Sequence, residues 1–212
     1  MPISQTAAAA MREAGRSFVK LEDLQNAISW KLSPLFGSER VRIVSSAHAA
    51  LVITAAVMIA GADKYLLSQL PESARNNTIC LLPEDERIPV FPIQLTGCCI
   101  ARKKPCAGER LIVSEQMYKE GQEDVQTVVF CDQPVSVDRL RFLTNTADAV
   151  IIDGKTLGGP LQSAYIASKA ALDDGLLLIS APRHGIARSF KTGKEEIGGA
   201  FAAATEFFGG EL

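Results

Sequence analysis

The sequence lacks a clustered basic face and a secretory leader, and each absence excludes a class of protein. The formal net charge is −2 and the pI is near 5.8, and the short basic groups at 102–104 and 191–194 are typical of solvated loops. A nucleic-acid partner is therefore not expected, because it needs cations clustered against its phosphates. The start, MPISQTAAAAMREAGR, has no basic region followed by an apolar block and a cleavage site, so no signal peptide is predicted.

A regular cysteine pattern is also missing. The five cysteines are irregularly spaced, which argues against a disulfide framework and favours a reducing, cytoplasmic location. The pair at 98–99 has neither a CxxC spacing nor a nearby histidine, so no metal site is predicted. Buried thiols are the simpler interpretation, although Cys131 precedes an acid at the end of a strand-like run.

One segment imitates a membrane span. Residues 43–62, IVSSAHAALVITAAVMIAGA, carry no formal charge over the length that a bilayer requires. The segment also holds serines, a histidine, a threonine and many alanines, which favours a helix buried between a sheet and other helices. We expect no membrane association.

The rest of the chain is typical of a globular protein, with 47% hydrophobic and 22% charged residues in 212 positions. No linker or repeat divides it, so one α/β domain over 1–212 is predicted. Proline at 89 and 92 argues against a regular helix at that point. Predicted helices cover 4–32 (broken at 33–39), 43–62, 115–125, 136–146 and 193–208. Predicted strands cover 40–46, 78–83, 98–103, 110–114, 126–132 and 147–153, and 163–172 is a strand or a helix.

Apolar strands that alternate with helices predict a mostly parallel sheet with helices on both faces, a three-layer α/β fold. In such a sheet, ligands bind at the carboxyl ends of the strands. Three strand ends carry suggestive residues: Ser45–Ser46 before a helix, Asp132, and Asp153 before Lys155. Because 136–146 is a short crossover, Asp132 and Lys155 are expected on neighbouring strand ends.

A helix start, a carboxylate and a lysine at one crevice suggest pyridoxal phosphate. The lysine amine binds the aldehyde, the carboxylate keeps the pyridine nitrogen protonated, and the helix amides hold the phosphate. The same residues also suit a plainer interpretation, since lysines often follow strands and an acid at a strand end often caps the next helix.

Two stretches carry a resemblance to a known family. DGKTLGGPLQSAYIASKAAL (153–172) and PRHGIARSFKTGKEEIGGAFAAATEFF (182–208) resemble the selenocysteine synthase-like family of fold-type I pyridoxal phosphate enzymes. That family includes L-seryl-tRNA selenium transferase and D-glucosaminate-6-phosphate ammonia lyase. SFVKLEDLQ (17–25) and SSAHAALVITAAVMIAG (45–61) are similar to its first core segment and its phosphate-binding turn.

The resemblance implies a role for particular residues. Lys155 is the Schiff-base lysine and Asp132 the partner of the pyridine nitrogen. Ser46, Ala47 and His48 lie on the phosphate turn. The resemblance assigns two further residues to substrate contact: His184 and Arg188.

The sequence also departs from the family pattern. Members carry further residues before the matching segment and a C-terminal domain after it, so the chain resembles a shortened form. Where the family tends to place a histidine that stacks on the cofactor ring, this sequence has Glu86. A site without the C-terminal domain would need a second subunit to close it, so a homodimer is expected.

Together these observations favour a pyridoxal phosphate enzyme, aminotransferase-like in fold and of lyase or transferase type, that acts at Cα or Cβ of a small amino compound through an aldimine on Lys155. Two alternatives stay open. One is a reduced, non-catalytic relative that serves as a binding or regulatory subunit. The other is an α/β protein that binds a phosphorylated metabolite at 45–48 without a covalent link.

Overall fold

The computed structural model describes residues 2–72, 78–121, 124–179 and 185–209. Its helices are α1 Gln5–Gly15, α2 Leu21–Phe36, α3 Ala47–Ala60, α4 Lys64–Ser68, α5 Val90–Gln94, α6 Val137–Thr146, α7 Ala170–Ile179 and α8 Lys194–Phe207. Its strands are β1 Arg40–Val44, β2 Thr78–Leu81, β3 Cys99–Arg102, β4 Arg110–Ser114, β5 Gln126–Cys131, β6 Ala149–Asp153 and β7 Ala164–Ser168. Short 3₁₀ helices cover Gly154–Leu157 and Ile186–Phe190.

The strands form one seven-stranded sheet in the order β1-β7-β6-β5-β4-β2-β3. β7 runs antiparallel to both of its neighbours, and the other paired strands are parallel. The inner strands are apolar on both faces because a helical layer or a loop covers each face. The predicted α/β sheet with helices on both faces is therefore confirmed.

Helix α3 accounts for the apolar segment at 43–62. It has 14 residues, and only His48 among them is not buried. It packs on β6 and β7 and against α5 and α7. No helix in the described part of the chain is long and apolar enough to cross a membrane, and the predicted buried helix is confirmed.

The helical prediction at the N-terminus was only partly correct. Residues 16–20 separate α1 from α2, and Phe18 in this connection is fully exposed. Helix α2 then continues through Pro34 and ends at Gly37, whose φ of 70° provides the left-handed end. Pro34 therefore lies inside the helix, and the neighbouring Ser33 hydroxyl donates to the Ser29 carbonyl at 2.7 Å.

Two further local predictions were wrong. Helix α5 forms although Pro89 and Pro92 argued against it; Pro89 is the N-cap and Pro92 lies in the first turn, where the missing N–H would have no intrahelical acceptor. The stretch 115–125, predicted as a helix, contains turns and irregular backbone but no helix in its described residues. Asp124 there has a φ of 62°, a left-handed conformation that a helix does not accommodate.

Candidate functional site

Sheet pairing brings four chain segments to one edge. Val44 lies opposite Ala164, which lies opposite Asp153, so the carboxyl ends of β1 and β6 flank the start of β7. Cys131 lies opposite Ile152, so the residues that follow β5 and β6 are adjacent. The predicted placement of Asp132 and Lys155 after neighbouring strands agrees with this pairing.

Lys155 lies in the 3₁₀ helix directly after β6. Its Nζ is 3.0 Å from Oδ2 of Asp153, and its backbone N–H donates to Oδ1 of the same carboxylate at 3.2 Å. The Asp153 side chain is 15% exposed and the Lys155 side chain 47%. One carboxylate thus caps the 3₁₀ helix and holds the amine at the sheet edge.

The backbone around Lys155 is tightly constrained. The N–H of Gly154 donates to the Ser163 carbonyl at 2.9 Å, and the N–H of Gly159 donates to the Gly154 carbonyl at 2.9 Å. A Cβ on Gly154 would lie 1.9 Å from Oγ of Ser163 and 2.6 Å from its carbonyl oxygen. Only glycine fits at 154, so the residue before Lys155 is needed for the close approach of β7.

The predicted phosphate turn is the start of α3. Ser46 is the N-cap, and its Oγ accepts a hydrogen bond from the N–H of Ala49 at 3.0 Å. The amides of Ala47 and His48 precede the first intrahelical donor and have no acceptor among the described residues. Ala47 is buried and His48 is exposed. Two amides at the positive end of a long helix form an anion-binding arrangement.

Asp132 does not contact Lys155 in this structure; it faces Arg87. Oδ1 of Asp132 is 3.9 Å from Nη1 of Arg87, and both side chains are partly exposed. The loop that carries Arg87 is fixed by Asp85, which is 1% exposed and accepts from the N–H of Ser114 at 2.6 Å and from the N–H of Arg87 at 3.3 Å. Glu86, between them, is exposed.

Asp85 and Arg87 were not selected from the sequence. The run EDER after Pro83 has the composition of a solvated loop. Nothing in that composition distinguishes the one acid that is buried. The partner of Asp132 therefore became evident only from the tertiary structure.

Cys131, the residue before Asp132, is buried and its thiol donates to the Gln133 carbonyl at 3.6 Å. Burial, with a smaller contribution from Glu115, raises the pKa of this thiol to about 12. A protonated thiol is a poor nucleophile, so Cys131 belongs to the core, as the sequence indicated for most cysteines.

Of the two residues assigned to substrate contact, the structure describes Arg188. His184 lies outside the described residues. Arg188 is exposed and lies on the 3₁₀ helix Ile186–Phe190, which packs against α3 and α7.

A cavity of about 490 Å³ opens beside Lys155. Leu161 and Gln162 after the lysine loop line it, together with Ile3 before α1 and Glu196 in α8. Asp132 is not among its lining residues.

No family model matches the chain, and no curated protein matches it. Among solved structures, D-glucosaminate-6-phosphate ammonia-lyase superposes with a TM-score of 0.81 at 20% identity, over 100% of this chain and 65% of that chain. The 8-amino-7-oxononanoate synthase of Francisella tularensis gives 0.64 at 10% identity, over 97% of this chain and 64% of that chain. A serine palmitoyltransferase of S. paucimobilis with a bound PLP–myriocin aldimine gives 0.62 at 11% identity, over 97% and 60%.

The chain therefore spans less than two thirds of the length of each of these proteins. What it shares with them is the fold, over nearly its whole length. The protein has the fold of the large domain of fold-type I pyridoxal phosphate enzymes.

Proposed function

We propose that the protein binds pyridoxal phosphate through Lys155 and acts as a lyase or transferase on a small amino compound. The observation that carries this proposal is the position of the Lys155 amine. It lies at the carboxyl edge of the sheet, beside β5, which Asp132 follows, and across β7 from the start of α3. Ligands of open α/β sheets bind at this edge.

The groups at this edge match the cofactor chemically. An amine suits its aldehyde, a carboxylate suits its pyridinium nitrogen, and two helix amides suit its phosphate. These groups follow strands β1, β6 and β5, which span three strand spacings, or roughly 14 Å. The residues that would hold the cofactor are Lys155, Asp132 and the turn at Ser46–His48.

In this structure Asp132 forms a weak ion pair with Arg87. An ion pair at 3.9 Å between partly exposed side chains contributes about 0–1 kcal/mol in proteins. Asp132 would therefore exchange the guanidinium for a pyridinium nitrogen at low cost. Because Asp85 fixes the loop backbone, Arg87 stays at the rim of the site when its side chain moves.

When bound, the cofactor supplies an electron sink for charge that develops at the substrate Cα. Asp132 holds a proton at the pyridine nitrogen. The Lys155 amine is the base positioned to take a proton from Cα, and Asp153, at 3.0 Å, orients that amine. The 3₁₀ helix and the Gly154–Ser163 contact keep the lysine backbone fixed while the side chain moves.

The experiment compares two lysines that form nearly identical ion pairs. Lys169 pairs with Asp148 at 3.0 Å, with a side chain 44% exposed, close to the values of Lys155. The protein is incubated with pyridoxal phosphate, reduced with borohydride and analysed by peptide mass spectrometry. We expect the adduct on Lys155, its loss in Lys155→Ala, and no change in Lys169→Ala.

Equal labelling of the two lysines, or an unchanged visible spectrum in Lys155→Ala, contradicts the proposal. A specific adduct on Lys155 that no amino compound perturbs supports cofactor binding and points to the non-catalytic relative instead. Variants that unfold are identified by circular dichroism, and Lys155→Arg, which keeps the charge beside Asp153, then replaces Lys155→Ala.

A further inference from the structure

We propose that the cavity beside Lys155 binds the apolar side chain of the amino substrate and rejects phosphorylated side chains. This inference rests on the proposed function, because it names the substrate class of the same site. It concerns the cavity of about 490 Å³ lined by Lys155 and by residues of α1, of the loop after β6 and of α8.

Hydrogen bonds within the chain fix the backbone around the cavity. The N–H of Ser4 donates to the Gly158 carbonyl at 3.0 Å, which places Ile3 beside the lysine loop. The hydroxyl of Ser163 donates to the Pro160 carbonyl at 2.6 Å and fixes the turn that presents Leu161. These contacts order the backbone on both sides of the opening.

The third wall is fixed by close packing on α8. A Cβ at Gly199 would lie 2.5 Å from Cγ of Met11 and 2.8 Å from Cγ of Pro160. Met11 and Pro160 therefore rest directly on the helix backbone. The apolar lining consists of Ile3, Met11, Pro160 and Leu161.

Leu161 is the most exposed apolar residue of the cavity lining. It is 80% exposed, and Ile3 is 39% exposed. An aliphatic side chain that enters the cavity removes this surface from water, which stabilises the complex in proportion to the apolar area buried.

The charges in the cavity oppose an anion. Lys155 and Glu196 are the ionisable residues of its lining, and the proposed function commits Lys155 to the cofactor. The Lys155 amine is in any case paired with the Asp153 carboxylate at 3.0 Å. The charge of the lining that has no ion-pair partner among the described residues is therefore the Glu196 carboxylate, which repels a phosphate, beside the neutral amide of Gln162. Phosphate sites need cations or several N–H donors, so the cavity favours an aliphatic side chain.

The test measures the affinity of L-norleucine and O-phospho-L-serine by ligand-observed NMR, with and without pyridoxal phosphate. We expect norleucine to bind at least tenfold more tightly than phosphoserine. Leu161→Asp should weaken norleucine binding about tenfold. Trp30→Asp is the matched control, because Trp30 is 79% exposed and lies outside the cavity, and it should change the affinity less than twofold.

Glu196→Gln tests whether the negative charge of Glu196 disfavours a phosphorylated ligand. Glutamine preserves the third position of α8, where a Glu or Gln side chain can cap the helix, so the fold is kept. Norleucine binding should stay within twofold, while the affinity for phosphoserine should rise about threefold.

Phosphoserine that binds as tightly as norleucine, or norleucine binding that Leu161→Asp leaves unchanged, overturns the assignment. So does a parent protein that binds no norleucine and whose dimer dissociates in Leu161→Asp, because the cavity is then an interface between copies. Norleucine binding through Leu161 without cofactor uptake refutes the proposed function alone. A Lys155 adduct with a preference for phosphoserine refutes the cavity assignment alone.

Discussion

Two lysine–aspartate ion pairs lie at the carboxyl and amino ends of strand β6, and their distances and lysine exposures are nearly identical. Lys155 pairs with Asp153 and Lys169 with Asp148, each at 3.0 Å, and the lysine side chains are 47% and 44% exposed. β6 starts beside Asp148 and ends at Asp153, and the antiparallel β7 returns the chain to Lys169. The two pairs therefore mark the two ends of one strand.

The difference lies in what surrounds each pair. At the carboxyl edge, Lys155 is joined by the start of α3 and by Asp132. At the amino edge, Asp148 accepts hydrogen bonds from two backbone N–H groups. Its Oδ2 accepts from the N–H of Thr127 at 2.8 Å, and its carbonyl accepts from the N–H of Lys169 at 2.9 Å. A lysine beside an aspartate thus indicates a function only where parallel strands also deliver helix amides and a second acid.

The largest effect is expected at Gly154, which distinguishes the packed carboxyl edge from a surface loop. In Gly154→Ala the new methyl group meets both Oγ and the carbonyl oxygen of Ser163, and backbone atoms cannot move aside freely. The free energy of unfolding should fall by about 3 kcal/mol or more, measured by urea denaturation. Gly15→Ala is the control, because its Cβ would have only ordinary contacts at 3.9 Å; equal losses in the two variants would show that the loop is not constrained.

A smaller effect separates the two aspartates. Asp148→Ala leaves the N–H of Thr127, a buried residue, without its acceptor, and should reduce the free energy of unfolding by about 2 kcal/mol. Asp153→Ala removes the cap of a short, partly exposed 3₁₀ helix and should cost about 1 kcal/mol. Thermal denaturation ranks the two variants, and the opposite order would mean that Asp153 is the structural acid and Asp148 the dispensable one.

The smallest effect concerns Cys131, the buried residue at the end of β5. Burial raises the pKa of the Cys131 thiol from its ordinary value of 9.0 to about 12. The unfolded thiol ionises first, so stability is retained below pH 9 and lost as the pH rises toward 12. Between pH 8 and pH 9 the free energy of unfolding should fall by about 0.4 kcal/mol more in the parent than in Cys131→Ala. An identical slope in Cys131→Ala would mean that water reaches Cys131.

Much of the fold was predictable because the central strands are short apolar runs bounded by turns. β5, α6 and β6 lie where the alternation placed them, and α3 is the buried helix that its alanine-rich composition indicated. Proline was the main source of local error: Pro34 and Pro92 lie inside helices. Position within a helix, which decides whether a missing N–H matters, depends on boundaries that the sequence does not mark.

The positions of three candidate residues were predictable to the same depth. Ser46, Asp132 and Lys155 follow strands, so the sequence pattern alone placed them at one edge, whereas Ala47 and His48 were assigned by the family resemblance. The homodimer, the cytoplasmic location, the single domain over 1–212 and the individual roles of Lys155, Asp132 and Arg188 stay predictions.

By itself, the sequence determined that this chain folds as a mostly parallel α/β sheet whose strand ends carry a lysine, an acid and a helix start, because hydrophobic periodicity and turn residues act locally. Only the tertiary structure decided which charge meets which. Arg87 reaches Asp132 because the buried Asp85 fixes its loop to β4, and the Lys155 cavity exists because Ile3, Leu161 and Glu196, far apart in the chain, converge there. Side-chain pairing depends on packing between distant segments, and no local pattern encodes it.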